Sequence, residues 1–86
     1  MYEVVLSPKA QKSYIRSGSV LAGKIDRCFI QLEQDPRNHS NIKPLKGNFA
    51  GFYRYRIGDY RILCRIDDQR MQVFVESIKH RSKIYE

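Results

Sequence analysis

The sequence predicts an α+β fold, an N-terminal strand and a helical hairpin packed on a four-stranded, mainly antiparallel sheet. Three observations predict it. An apolar stripe at helical spacing runs through residues 21–32, strand-like runs fill residues 52–78, and turn signals separate them. Helices grouped ahead of a strand meander imply helices on one sheet face, with the other face open to a ligand. At 86 residues the chain reads as one domain, 1–86, with one modest core.

The elements follow in order. Tyr2–Leu6 reads as a short strand because Val4 and Val5 are β-branched and Ser7-Pro8 stops the run. Ser7 is a cap and Pro8 suits the first helical position, where its missing N–H is not needed. A first helix then runs to about Ser17, with Gly18 as its stop. A second runs from about Ser19 to Gln34 and carries Leu21, Ile25, Cys28, Phe29 and Leu32 on one stripe. Asp35-Pro36 ends it. Residues Arg37–Gly51 are mostly polar and read as a loop, anchored by Leu45, Phe49 and Ile42. Phe52–Ile57 and Tyr60–Ile66 form a hairpin about Gly58-Asp59. Asp67–Arg70 turns into a last strand, Met71–Ile78, and Lys79–Glu86 is a basic tail.

Sixteen Lys and Arg against nine Asp and Glu give a net charge of +7. That balance points toward a polyanion, nucleic acid first, with an anionic membrane surface or an acidic protein as alternatives. Cys28 and Cys64 each lie within an apolar pattern, as core residues and not ligands, and a reducing cytoplasm suits them. No signal-peptide layout and no run of about 20 apolar residues is present. The sequence also lacks a Gly-rich phosphate loop, an HExxH pair and an acidic metal cluster, so no cofactor or metal is expected.

Strand alternation locates candidate chemistry. Tyr53, Tyr55 and Ile57 share one face, and Arg54 and Arg56 the other. Tyr60, Ile62, Cys64 and Ile66 share the apolar face of the next strand, with Arg61, Leu63 and Arg65 opposite. The hairpin thus gathers Arg54, Arg56 and Arg61. Adjacent like charges cost stability, and a phosphate among the guanidinium forks would offset that cost. A solvated face whose arginine stems cover apolar surface accounts for the same pattern. The tail adds His80, a residue type suited to moving protons, with Arg81 and Tyr85. His39 reads as a surface residue.

The segment from Leu45-Lys46-Gly47 through Phe52-Tyr53-Arg54-Tyr55-Arg56-Ile57-Gly58-Asp59-Tyr60-Arg61-Ile62 resembles the L-x-G … Y-R-x-R-x-G-x-Y-R core of RelE/ParE-superfamily toxins. The ending Ile78-Lys79-His80-Arg81-Ser82-Lys83-Ile84-Tyr85 is similar to their x-x-H-R-S-x-x-Y terminus. The resemblance spans essentially the whole chain. It implies a microbial RNase-like fold, a cytoplasmic prokaryotic setting, and the toxin role in a type II toxin–antitoxin system with a cognate antitoxin. In the RelE-like branch it implies an endoribonuclease that cuts mRNA in the ribosomal A site. The ParE-like alternative is a DNA gyrase inhibitor without nuclease activity.

The resemblance further implies a catalytic set of Arg61, Arg81, Tyr85 and His80, with Arg54, Arg56, Lys79 and Lys46 holding RNA phosphates. Arginine replaces the lysine common in relatives at 54 and 56, so His80 is the candidate for a proton role held there by lysine. Cleavage by the RNA's own 2′-OH needs a base, charge on the phosphorane-like transition state and an acid for the leaving 5′-oxygen. Tyr85 or His80 suits the first task, the arginines the second, and Arg81 or His80 the third.

Overall fold

The computed structural model describes residues 1–83. Strand β1 (Glu3–Leu6) leads into helices α1 (Pro8–Arg16) and α2 (Gly18–Gln34). Strands β2 (Ile42–Pro44), β3 (Tyr53–Ile57), β4 (Tyr60–Asp67) and β5 (Gln72–His80) follow, with single 3-10 turns at Gly47–Phe49 and Arg81–Lys83. No helix among the described residues is long and apolar enough to cross a membrane.

The expected α+β arrangement is present, with a five-stranded mixed sheet in place of four strands, in the order β1-β5-β4-β3-β2. Strand β1 pairs parallel to β5, and the other pairs are antiparallel. The extra strand comes from the segment expected to be a loop. Ile42 pairs with Tyr55 and is buried, so one apolar residue in a polar stretch is enough to dock an edge strand. Lys79 and His80, expected in the tail, instead complete β5, opposite Arg61 and Tyr60.

The helices form where the sequence signals them. Ser7 Oγ accepts from the Ala10 N–H at 3.0 Å, and Pro8 takes the first turn. Gly18 has a φ of 79°, the left-handed conformation that lets α1 end and α2 begin at once. Ile25, Cys28 and Leu32 of α2 are buried against Tyr55, Ile57, Ile62 and Cys64, with Leu21 and Phe29 packed at the margin. Val73, Val75 and Ile78 of β5 complete the core. Burial pushes the Cys64 thiol up to about 12 and raises Cys28 further, so both are inert core groups.

One irregularity organises β5. Leu63 pairs with Ser77 but Cys64 pairs with Val75, so Glu76 is the extra residue of a β-bulge. The bulge resets the alternation. Val73 and Val75 face the helices before it and Ile78 after it, so Ser77 and Lys79 turn to the open face. Ser7 holds the bulge, since its N–H donates to the Val75 carbonyl at 2.9 Å and its hydroxyl to the Glu76 carbonyl at 2.7 Å.

A polar clasp closes the far end. Asp68 accepts two bonds of 2.9 Å from the Arg37 fork and one of 2.6 Å from the Tyr2 hydroxyl. The Arg37 fork, then the Tyr2 hydroxyl, hold the Asp68 carboxyl below its usual 3.8. Asp35 is likewise lowered, by the Asn38 side chain first and then by the N–H groups of Arg37 and Asn38.

Leu32→Ala should cost about 2–5 kcal/mol in denaturant unfolding, because Leu32 is 0% exposed. Ser7→Ala should cost about 0.5–2 kcal/mol for the cap alone, and more because the bulge carbonyl loses its donor. Both carboxyls titrate lower in the folded chain, so their stabilisation is complete above pH 3.8 and is lost as pH falls through the folded-state values. Denaturation midpoints should therefore fall below about pH 4, and Asp68→Asn should lower stability at neutral pH yet match the parent at the acid end. A constant difference between the two across the whole pH range would exclude the clasp.

Candidate active site

The open sheet face is built by register. Arg54 lies opposite Leu63 and Arg56 opposite Arg61 across β3–β4, and Arg61 opposite Lys79 across β4–β5. Partners across a ladder point the same way, so four cations from three strands share one face. Strand β2 adds a fifth, Lys43, opposite Arg54. Leu63 and Ser77 are buried at the centre of this face, and the Arg54 stem lies beside Leu63. The arginine stems therefore cover apolar surface while their charges stay together.

Arg61 is the most constrained member. Its Nη1 donates to the carbonyls of Gly58 at 2.8 Å and Tyr60 at 2.9 Å, both within its own hairpin turn. Gly58 supplies the positive φ of 53° that this turn needs. Desolvation lowers the Arg61 pKa, and the charges of Arg54, Arg56 and Arg81 lower it further, with Asp59 opposing. Arg81 is drawn in from the end of β5, where its N–H donates to the Asp59 carbonyl at 2.7 Å and its Nε lies 3.9 Å from the Asp59 carboxylate. Arg54 is half-buried, and its Nε is the one buried side-chain N–H or O among the described residues without a hydrogen-bond partner.

A small recess of ≈ 80 Å³ opens beside these groups, lined by Ser40, Asn41, Lys43, Arg54 and Arg56. It has room for a few waters or one oxyanion. A larger depression of ≈ 570 Å³ lies at the opposite end of the sheet, where Asp67 and Asp68 in its walls offset Arg65 and Arg70. In its wall, Arg65 stacks between the Phe52 and Phe74 rings at 5.5 and 5.2 Å.

The structure thus brings Arg54, Arg56, Arg61 and Arg81 together, with Lys79 in register. His80 points elsewhere. The bulge pairs it with Tyr60, and the two rings meet edge to face at 5.5 Å on the helix side of the sheet. Its Nδ1 lies 2.9 Å from the Ser82 hydroxyl. Lys46 is exposed ahead of the 3-10 turn at Gly47–Phe49, away from the strand ladder. Tyr85 lies outside the described residues. Among the described residues no group of three or more His, Cys, Asp or Glu could hold a metal. Sequence reasoning missed Lys43, since the alternation Ile42-Lys43 was hidden in a polar stretch. It also missed the bulge, whose signal was available: Val73 and Val75 are two apart, but the next core residue, Ile78, is three further on.

Residues 4–85 match the family described as the ParE toxin of the type II toxin–antitoxin system parDE. The chain is 36% identical over 66 residues to toxin RelG of Mycobacterium tuberculosis, covering 77% of this chain and 74% of that protein. It is 31% identical over 85 residues to toxin RelE of the same organism, covering 98% and 86%. The fold matches the toxin–antitoxin complex RelBE2 of M. tuberculosis with a TM-score of 0.81 at 26% identity, over 92% of this chain and 96% of that one. With a family match along almost its whole length and two relatives above 30% identity, the chain belongs to the RelE/ParE superfamily of type II toxins.

Proposed function

We propose that this toxin is an endoribonuclease that cuts mRNA on its open sheet face and so blocks translation. One observation carries the reading: the strand register sets Arg54, Arg56, Arg61 and Lys79 on one sheet face, with Arg81 held beside Asp59 at its end. Such a cluster is costly in the free chain and suits a phosphodiester whose negative charge grows in the transition state.

The step needs no group beyond the RNA and the protein. The 2′-oxygen loses its proton to a base and attacks the adjacent phosphorus, forming the cyclic phosphate. The bond to the 5′-oxygen breaks, and that oxygen takes a proton from Arg81. Arg61 is held rigid by the Gly58 and Tyr60 carbonyls, which suits it to bind the developing charge with little reorganisation. Arg54, Arg56 and Lys43 hold the flanking phosphate. Tyr85 is the base, its phenolate stabilised by the same cations. Because the bulge turns His80 away, His80 serves proton transfer only through a rearranged end of β5. The ribosome supplies the in-line alignment that a shallow sheet face does not. An antitoxin with an acidic segment covers this face and silences it, in an association weakened by salt.

Arg61→Ala should lower the rate of mRNA cleavage in a translating extract by about 10²–10³. Tyr85→Phe should lower it strongly while leaving antitoxin and ribosome binding nearly intact. Full cleavage by Tyr85→Phe would remove Tyr85 from the mechanism. Growth arrest with altered plasmid supercoiling and intact mRNA would replace the nuclease reading with gyrase inhibition.

A further inference from the structure

A second basic groove lies around the sheet edge from the arginine cluster. It has a volume of ≈ 480 Å³ and runs between α2 and β3, lined by Lys24, Arg27, Gln31, His39, Asn41 and Arg56 among others. No carboxylate lines it. Lys24, Arg27 and Arg56 form no salt bridge among the described residues. The nearest acid on α2, Asp26, accepts from the Tyr14 hydroxyl. Asn41 and Arg56 line both this groove and the small recess beside Arg54. The two therefore adjoin at these residues, at the edge of the sheet where β2 begins, and together offer a cationic path around it.

His39 is fixed within this path. Its ring stacks on Tyr55 at 5.3 Å and 24°, and its Nδ1 accepts from the Asn41 N–H at 3.0 Å. An accepting Nδ1 leaves Nε2 to carry the proton, so the neutral ring is already a donor. Amide, imidazole, ammonium and guanidinium donors with no opposing carboxylate suit a phosphodiester backbone, not an apolar ligand. The sharp turn at the sheet edge suits a single strand, whose backbone can bend there.

We propose that the groove binds the phosphates of a single-stranded RNA that continues past the arginine cluster, with Lys24 and Arg27 as its principal cations. The proposal rests on the RNA reading given above. It makes the RNA site longer than the open face and moves its end onto the helical layer.

Affinity for non-cleavable 2′-O-methyl oligoribonucleotides tests it, with strands of about 4 and about 12 nucleotides, a span typical of single-strand sites. The parent toxin should bind the longer strand more tightly. Lys24→Ala with Arg27→Ala should erase that difference and reduce the slope of log affinity against log salt by about 1.4, for two lost phosphate contacts on a single strand. Cleavage should show a raised KM at unchanged kcat. Both side chains are exposed on a helix, where alanine is well tolerated, and Lys24→Glu with Arg27→Glu should deepen the loss. Equal binding of both lengths by the parent, or an unchanged slope in the double variant, would overturn the groove. So would a double variant that loses only its antitoxin. A parent that cuts no RNA yet keeps length-dependent binding through Lys24 and Arg27 would end the nuclease reading and leave the groove standing.

Discussion

The hydroxyl of Ser7 is the point on which the other elements depend. It donates to the Glu76 carbonyl and accepts from the Ala10 N–H, so one buried oxygen starts the first helix and satisfies the bulged backbone of β5. A bulge leaves polar backbone without its ladder partner, and at a buried position that group needs another. Ser7 meets the need from just past the end of the parallel neighbour β1. The N-terminal strand, the helical layer and the last strand are thereby set relative to one another in a chain too small to rely on core volume alone.

The bulge decides which side chains share the open face with the arginines. In an unbroken strand, Lys79 would point the same way as Val73 and Val75, into the helical layer. The extra residue turns it to the open face opposite Arg61, and turns His80 to Tyr60. A histidine beside the arginines would offer a proton at neutral pH. A lysine there adds charge instead. The open face among the described residues is therefore electrostatic in character.

Holding like charges together requires support elsewhere. The helix-facing side provides it through fully buried Ile25, Leu32, Ile62, Val73 and Val75. The arginine stems contribute as well, since Arg54 lies across from buried Leu63. Arg61 gives up part of its fork to the carbonyls of its own turn. That lowers its freedom before any ligand arrives, and preorganisation of this kind is what makes a fixed charge effective against a developing one.

The sequence by itself determined the local elements and one face of the hairpin. Ser7-Pro8, Gly18 and Asp35-Pro36 bounded the helices because capping and φ restrictions act within a few residues. Alternation placed Arg54, Arg56 and Arg61 together because period two is intrinsic to a strand. The motifs around Gly47–Ile62 and Ile78–Tyr85 pointed to the family for the same reason, being contiguous. Only the tertiary structure decided the rest. The fifth strand forms because Ile42 finds Tyr55, thirteen residues on, and with it Lys43 joins the cations. Lys79 replaces His80 on the open face because Ser7 captures the Glu76 carbonyl across 69 residues of chain. The spacing of Val75 and Ile78 hinted at that shift, but a bulge exists only where a distant group satisfies its backbone, and no local pattern specifies that group.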